Sequence, residues 1–289
     1  MMRPFRPFRQ SVDRLRTAAI LGVLVLPAAL SGCVSVAVEE KSEPAAGMER
    51  PELAVRWVTE SAEYPALTRQ VYRTAAAMLD GRIADEDWSA LPSHPADPSL
   101  PPAIILDVDE TVLDNSPFQI LLGDKPFNRT DWDQWVARAQ ADAVPGVVDF
   151  LRQAREAGVA VFLVTNRDCM RRPGSADPCP QEDDTLDNLR RIGLEFDPEH
   201  LMLSNERPGW TDEKKVRRDY VARDHRVIML FGDDLGDFLD CVRGRVIAPC
   251  KRPATAAERL RMVREHAEYW GLGWFVLPNP MYGSWTGVR

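Results

Sequence analysis

The sequence predicts an α/β fold, a parallel sheet flanked by helices, and three observations carry that prediction. Short apolar, β-branched runs ("AIILDVD", "VAVFLVT", "HLMLS", "RVIMLFG") alternate with amphipathic stretches at helical spacing. The runs are apolar throughout rather than at every second residue, as strands buried on both faces require. Several of them also break off at polar or acidic residues, and ligands of open parallel sheets bind at those carboxyl ends. The expected architecture is Rossmann-like, with a small helical N-terminal portion.

From the N-terminus, Arg3, Arg6, Arg9, Arg14 and Arg16 precede a short apolar run, "TAAILGVLVLPAAL", and then "LSGC" at Leu30–Cys33. A basic stretch, a short apolar core and small residues before a cysteine resemble a bacterial lipobox. Residues 1–32 are therefore expected to be a lipoprotein signal peptide, with Cys33 the lipidated first residue. An ordinary signal peptide with an incidental cysteine is the rival reading. Val34, where an aspartate would stand for inner-membrane retention, implies by similarity to Gram-negative lipoproteins a cell-envelope protein. It would be lipid-anchored to the outer membrane, on its periplasmic or surface face. No other apolar run is long enough to span a bilayer. Acyl chains such as palmitate on Cys33 are the expected anchor, and several on one residue hold stably where one does not.

Residues 33–50 carry charge, Pro and Gly without periodicity and read as a flexible tether. Residues 51–98 form an N-terminal helical segment: Trp57, Tyr64, Leu67, Val71, Ala75, Met78 and Leu79 recur at steps of three and four. A proline-rich break over 92–102 ends it, and the core is expected over 99–289. There "PGVVDFLRQAREAGV", "DDTLDNLRRIG" and "DEKKVRRDYVARD" read as helices, and 233–247 as a helical turn followed by another strand.

The chain has 36 basic and 44 acidic residues, a net charge of −8; without residues 1–32, which hold five arginines and one aspartate, the balance is −12. That surface excludes a nucleic-acid polymer as partner, while a small anionic ligand remains compatible with locally concentrated positive charge. Apart from Cys33 there are four cysteines, Cys169, Cys179, Cys241 and Cys250. An even number in an exported chain points to disulfides, with three connectivities open. The nearest-neighbour pairing, Cys169–Cys179 with Cys241–Cys250, is the expectation, against four free thiols. Four scattered histidines show no ligand spacing.

The chemistry gathers at strand ends. The first strand ends in Asp107 and Asp109, the second in Thr165, Asn166 and Arg167, and "RVIMLF" runs into "GDDLGD" with Asp233, Asp234 and Asp237. Lys214 and Lys215 lie on the preceding helix. If the strands are neighbours, Asp107, Asp109, Asp233 and Asp237 share a cleft. Two carboxylates about 4 Å apart repel by roughly 4 kcal/mol at an effective dielectric near 20. Such a group either holds protons or binds a divalent cation, and an all-oxygen donor set selects a hard ion, Mg²⁺, one per chain. A cation and a lysine then make a local anion site on an acidic protein.

Asp-x-Asp-x-Thr, a Thr after a strand, a Lys, and Gly-Asp-Asp-x-x-Asp in that order resemble the haloacid dehalogenase superfamily of phosphohydrolases. "SAEYPALTRQVY", "LDVDETVLDNSPF", "DWDQWV", "VTNRD", "KKVRR", "FGDDLGDF" and "LPNPMYGSWTG" resemble the bacterial lipoprotein acid phosphatases, the class C acid phosphatases or lipoprotein 5'-nucleotidases. The resemblance runs from about Trp57 to the C-terminus. It implies a haloacid dehalogenase-like core with a cap insertion at about 115–145. It implies Asp107 as nucleophile forming an aspartyl-phosphate and Asp109 as general acid and then base. Thr165 would bind a phosphoryl oxygen, and Lys214, by "K-x-x-R-R" spacing, would neutralise charge. The metal would lie on Asp107, the Asp109 carbonyl and Asp233, with Asp237 supporting. Trp132 and Tyr282 would stack a nucleobase, with Asn166 beside the phosphate. Asp234 and Glu110 read as structural, and Asp114 and Asn115 match the pattern without a role that chemistry assigns.

The expected function is a Mg²⁺-dependent acid phosphatase acting on phosphomonoesters, nucleoside 5'-monophosphates among them. Two alternatives stand beside it: a lipoprotein that holds a metal with a nucleotide or haem without turnover, and a phosphotransferase of the same fold. Oligomeric state is left open.

Overall fold

The computed structural model describes residues 50–288, with side chains from Leu53 on. The expected signal peptide, Cys33 and tether lie outside the described residues. Those described belong to one compact unit. Five parallel strands form the sheet in the order β5 (Leu201–Ser204), β4 (Ala160–Asp168), β1 (Pro102–Leu106), β6 (Arg226–Gly232), β7 (Trp274–Val276). Both faces are covered. Ile104 and Leu106 of β1 point into one apolar cluster with Leu163, Phe150 and Phe231. Ala103 and Ile105 point into the other, with Phe162, Leu230, Trp210 and Trp274. Two buried faces explain why the strands read as unbroken apolar runs.

The helical N-terminal stretch is two helices, α1 (Arg50–Glu60) and α2 (Glu63–Ala84), interrupted at Ser61–Ala62. The buried face of α2 is Tyr64, Thr68, Tyr72, Ala75 and Leu79, while Leu67 is 40% exposed. Val71 and Met78 are only partly buried. The stripe is therefore rotated from the one predicted. Tyr72 sets it: its ring stacks on Phe231 at 5.8 Å and its hydroxyl donates to the Thr111 carbonyl at 2.6 Å. Arg226 of β6 reaches the far end of α2, donating to the carbonyls of Ile83 (2.7 Å) and Asp85 (2.8 Å), which a helix end leaves without partners.

After β1, a two-stranded antiparallel ribbon, β2 (Leu113–Asp114) with β3 (Asp142–Ala143), encloses α3 (Ser116–Leu122) and α4 (Arg129–Val136). The helices α5 (Val147–Glu156), α6 (Pro180–Arg191) and α7 (Lys215–Val221) follow as the periodicity predicts, within a few residues at each end.

The segment 233–247 departs from prediction. A single 3₁₀ turn, Leu235–Asp237, follows β6, and the chain then runs irregularly to Cys250. The fifth strand is β7 instead. Trp274 is fully buried and donates to the Ala90 carbonyl at 2.7 Å, whereas Val246 is 55% exposed. "VRGRV" interleaves its valines with arginines and glycine, which a buried strand cannot accommodate. The helix α8 (Ala256–Glu265), begun by a Thr255–Glu258 capping box, was not anticipated. Disulfides join Cys169 to Cys179 and Cys241 to Cys250, the nearest-neighbour pairing. Among the described residues no helix is long and apolar enough to cross a membrane.

Candidate active site

Asp107 follows directly on β1, and its N–H continues the ladder by donating to the Phe231 carbonyl of β6 at 3.0 Å. Its carboxylate is 8% exposed and contacts the Lys214 ammonium, which also pairs with Asp237 at 2.6 Å. Lys214 stands at the start of α7, and helical spacing puts Arg217 and Arg218 on the same face. Arg217 donates to the Thr165 carbonyl and to Asn166 Oδ1 (2.8 Å); Arg218 donates to the Asp237 carbonyl at 2.9 Å. One helix face thus sets three cations against the ends of β1, β4 and β6. Lys215 points away and pairs with Asp219 at the surface.

Asp237 reaches back under β6 because Gly232 has no side chain: a Cβ there would lie 2.1 Å from Asp237 Oδ2. That oxygen accepts the Asp234 N–H at 2.9 Å. Oxygens of Asp107, Asp233 and Asp237 all lie within 4.8 Å of one another. Burial, only partly offset by Lys214 and reinforced by Asp237 and Asp109, pushes the Asp107 carboxyl up to about 7. Burial, then Asp237 and Asp107, holds Asp233 well above the ordinary carboxylate range. Lys214 is held protonated above its usual range, because Asp107 and Asp237 outweigh its burial. Fully ionised, the three carboxylates would set three negative charges against one ammonium, so without a cation the cluster holds protons. A buried, all-oxygen donor set of that charge fits a hard divalent cation.

Asp109 is held apart from this group. Its carboxylate accepts from Arg167 (Nη2 at 2.8 Å, Nε at 3.1 Å), Asn115 Nδ2 (2.9 Å) and Thr165 Oγ1 (3.3 Å). Its side chain is therefore not among the clustered oxygens. Thr165 is fully buried, so its hydroxyl serves Asp109 and does not open on the cleft. Arg167 was missed in the sequence as a functional residue, although "VTNRD" contains it; at 1% exposure it is paired with the part-buried Asp109. Asn115, whose role was also unassigned, orients Asp109 and is itself fixed by the Trp135 indole N–H at 2.8 Å. Glu110, at φ +57°, accepts the Asn115 N–H, in keeping with its structural reading.

A cavity of about 660 Å³ opens above the cluster. Asp107, Asp109, Lys214, Asp233, Asp237, Asn166, Trp132 and Tyr282 all line it, so the predicted site residues converge except Thr165 behind them. Trp132 of α4 stands edge-on to Phe118 at 5.1 Å, and the Arg167 guanidinium lies 5.8 Å from its ring. Phe127, Gln119, Arg243 and Arg245 complete the walls and had no sequence signal, lying in irregular segments or on the cap. Asp234 faces the tail: against its burial, the Ser284 hydroxyl and N–H and the Gly236 N–H hold its carboxyl below the usual range.

A parallel sheet with an Asp-x-Asp at the end of its central strand, a buried lysine and an acidic turn after the neighbouring strand defines a haloacid dehalogenase-type phosphohydrolase. Residues 33–285 match the family model described as HAD superfamily, subfamily IIIB (Acid phosphatase), and the chain belongs to that family. It is similar to the class C acid phosphatase of Bacillus anthracis with tungstate bound, at 31% identity and a TM-score of 0.66, over 82% of this chain and 87% of that one. A second structure of the class C acid phosphatase from that organism matches over the same shares at 31% identity, with a TM-score of 0.65. The chain is a phosphoric monoester hydrolase, an acid phosphatase acting on small phosphate esters.

Proposed function

We propose that this acid phosphatase hydrolyses nucleoside 5'-monophosphates through an aspartyl-phosphate on Asp107, with Mg²⁺ as its divalent cation. The observation that carries the reading is the pairing of Lys214 with both Asp107 and Asp237 beneath a cavity walled by Trp132, Phe127 and Tyr282. Asp107, Asp233 and the Asp109 carbonyl would hold the cation, with Asp237 supporting; when bound it supplies charge neutralisation for an incoming phosphate dianion.

The Asp107 carboxylate attacks phosphorus, and the bond from phosphorus to the ester oxygen breaks. Asp109 gives its proton to that leaving oxygen. Its Oδ2 has only the Thr165 hydroxyl at 3.3 Å and a long Arg167 contact at 3.4 Å, which makes it the oxygen free to carry a proton. Asp109 then takes a proton from water. The resulting hydroxide attacks the phosphorus of the aspartyl-phosphate, freeing phosphate and restoring Asp107. Lys214 balances charge on Asp107 throughout, and Arg167, Asn115 and Thr165 hold Asp109 in line. A protonated starting Asp109 accords with an acidic optimum. The aromatic walls suit a nucleobase, whose stacking contributes about 1–3 kcal/mol per base.

The "LSGC" segment supports export and an acyl anchor on Cys33, and Val34 after it supports the outer membrane as the enzyme's location. A carrier without turnover would have no use for Asp109. Phosphoryl transfer to an alcohol in place of water remains compatible as a side activity. Rapid acid quench during AMP turnover, followed by mass spectrometry of the peptide containing Asp107, tests the intermediate. A phosphate adduct on Asp107 is expected, and an adduct elsewhere or none at any quench time would refute it.

A further inference from the structure

The C-terminal tail is fastened to the catalytic acids. β7 pairs with the end of β6, and the Leu277 N–H continues that pairing to the Gly232 carbonyl at 2.8 Å. The register brings Asn279 beside Asp233. Its Nδ2 donates to Asp233 Oδ2 at 2.8 Å, and its Oδ1 accepts the N–H groups of Met281 (2.9 Å) and Tyr282 (3.4 Å). The two ends of one amide thus have opposite partners, an acceptor-only carboxylate on one side and backbone donors on the other. Among the described residues Asp233 has no ion pair, and Asn279 is its one side-chain hydrogen-bond partner. Tyr282, held through its backbone, lines the cavity wall.

The next residue repeats the pattern. Asp234 accepts the Ser284 N–H (2.5 Å) and hydroxyl (2.7 Å), and Ser284 Oγ accepts from Arg259 at 2.7 Å. Gly244 lies so close to the tail that a Cβ there would be 2.0 Å from the Gly287 carbonyl. The tail is therefore anchored on both sides of Tyr282, and Asn279 links Asp233 to the backbone of the aromatic wall.

We propose that Asn279 is a positioning residue that couples metal binding at Asp233 to recognition of the leaving group at Tyr282. This rests on the nucleotide reading above. Orienting partners of metal-ligating carboxylates typically change metal affinity by about 10–100-fold when removed. Coupling between two sites is reciprocal, so a group bound against Tyr282 must strengthen metal binding by the same factor that metal strengthens its own. A merely structural asparagine would lack that reciprocity.

The test uses adenosine, which lacks the phosphate that would contact the metal. Mg²⁺ affinity is measured by calorimetric titration of wild type and Asn279→Ala, with and without adenosine. Thermal melting confirms that the variant is folded, and Asn279→Thr replaces it if it is not. The expected result is Mg²⁺ binding tightened about 5-fold by adenosine in wild type. In the variant, Mg²⁺ binds about 10-fold more weakly and adenosine has no effect on it. The proposal is overturned if adenosine inhibits p-nitrophenyl phosphate hydrolysis yet leaves wild-type Mg²⁺ affinity unchanged, or if the variant keeps wild-type affinity or coupling. Adenosine that fails to inhibit at all would instead remove the nucleotide reading, and the coupling with it.

Discussion

Asp107 and Asp109 stand two positions apart and live in opposite surroundings. Asp107 is buried among other carboxylates with Lys214 as its ion-pair partner among the described residues, whereas Asp109 has Arg167 across both oxygens. On the proposed mechanism, the first environment would keep a nucleophile poised against repulsion, and the second would fix the aim of a group that exchanges protons. Arg167 is the residue on which Asp109 depends most. Arg167→Ala would leave that acid without its charge partner and Thr185 without a donor. The pair is part-buried, with Asp109 17% exposed, so losing this hydrogen-bonded charge costs about 1.5–3 kcal/mol, less than for a fully buried pair. Urea denaturation should show a loss of that size, and kcat should fall more than KM rises, because aim rather than binding is lost. Asp107, Asp109 and Asp233 were legible because each belongs to a short local pattern at a strand end, and Lys214 because of its spacing to Arg217 and Arg218 at a helix start. Arg167 was not, since its meaning depends on Asp109, 58 positions earlier, and a strand-end arginine carries no mark of burial.

At the scale of elements, the site is a junction between β1, β4, β6, α7 and the tail. The strands could be read because burial on both faces leaves unbroken apolar runs. The segment after β6 could not, because its course is set by the Cys241–Cys250 bridge and by contact with the tail rather than by periodicity. For α2 the helix was legible but its buried face was not. Counting apolar residues favoured Leu67 and Val71, while the structure buries Tyr72, whose hydroxyl has a partner. That hydroxyl ties α2 to the Thr111 carbonyl in the loop that carries Asp107 and Asp109. Tyr72→Phe leaves a buried carbonyl without its donor, which costs about 1–3 kcal/mol. Thermal denaturation should report a correspondingly lower Tm, with the fold intact.

For the whole molecule, the acidic cluster makes stability depend on pH and on metal. Asp107 titrates at about 7 and Asp233 well above its ordinary value of 3.8. Groups with raised folded-state values stabilise the fold fully below the unfolded value, and that stabilisation is lost as pH rises through the folded value. The metal-free protein should therefore lose stability from about pH 4 towards 7 and above through these two groups. A cation bound only by the folded state opposes the loss by mass action. Melting curves with EDTA and with Mg²⁺ should diverge as pH rises; curves that stay parallel would show that these carboxylates hold no metal. The net charge of −8 leaves the same cluster to attract cations rather than polyanions.

The most direct test of the central claim is phosphate release from AMP and from p-nitrophenyl phosphate by protein beginning after Cys33, with Mg²⁺ or with EDTA, beside Asp107→Asn. Asp107 as metal-dependent nucleophile predicts release with Mg²⁺, its loss in EDTA, and a drop of at least about 1,000-fold in kcat for the variant. Equal release in EDTA, or an Asp107→Asn enzyme that still turns over at a comparable rate, would contradict it.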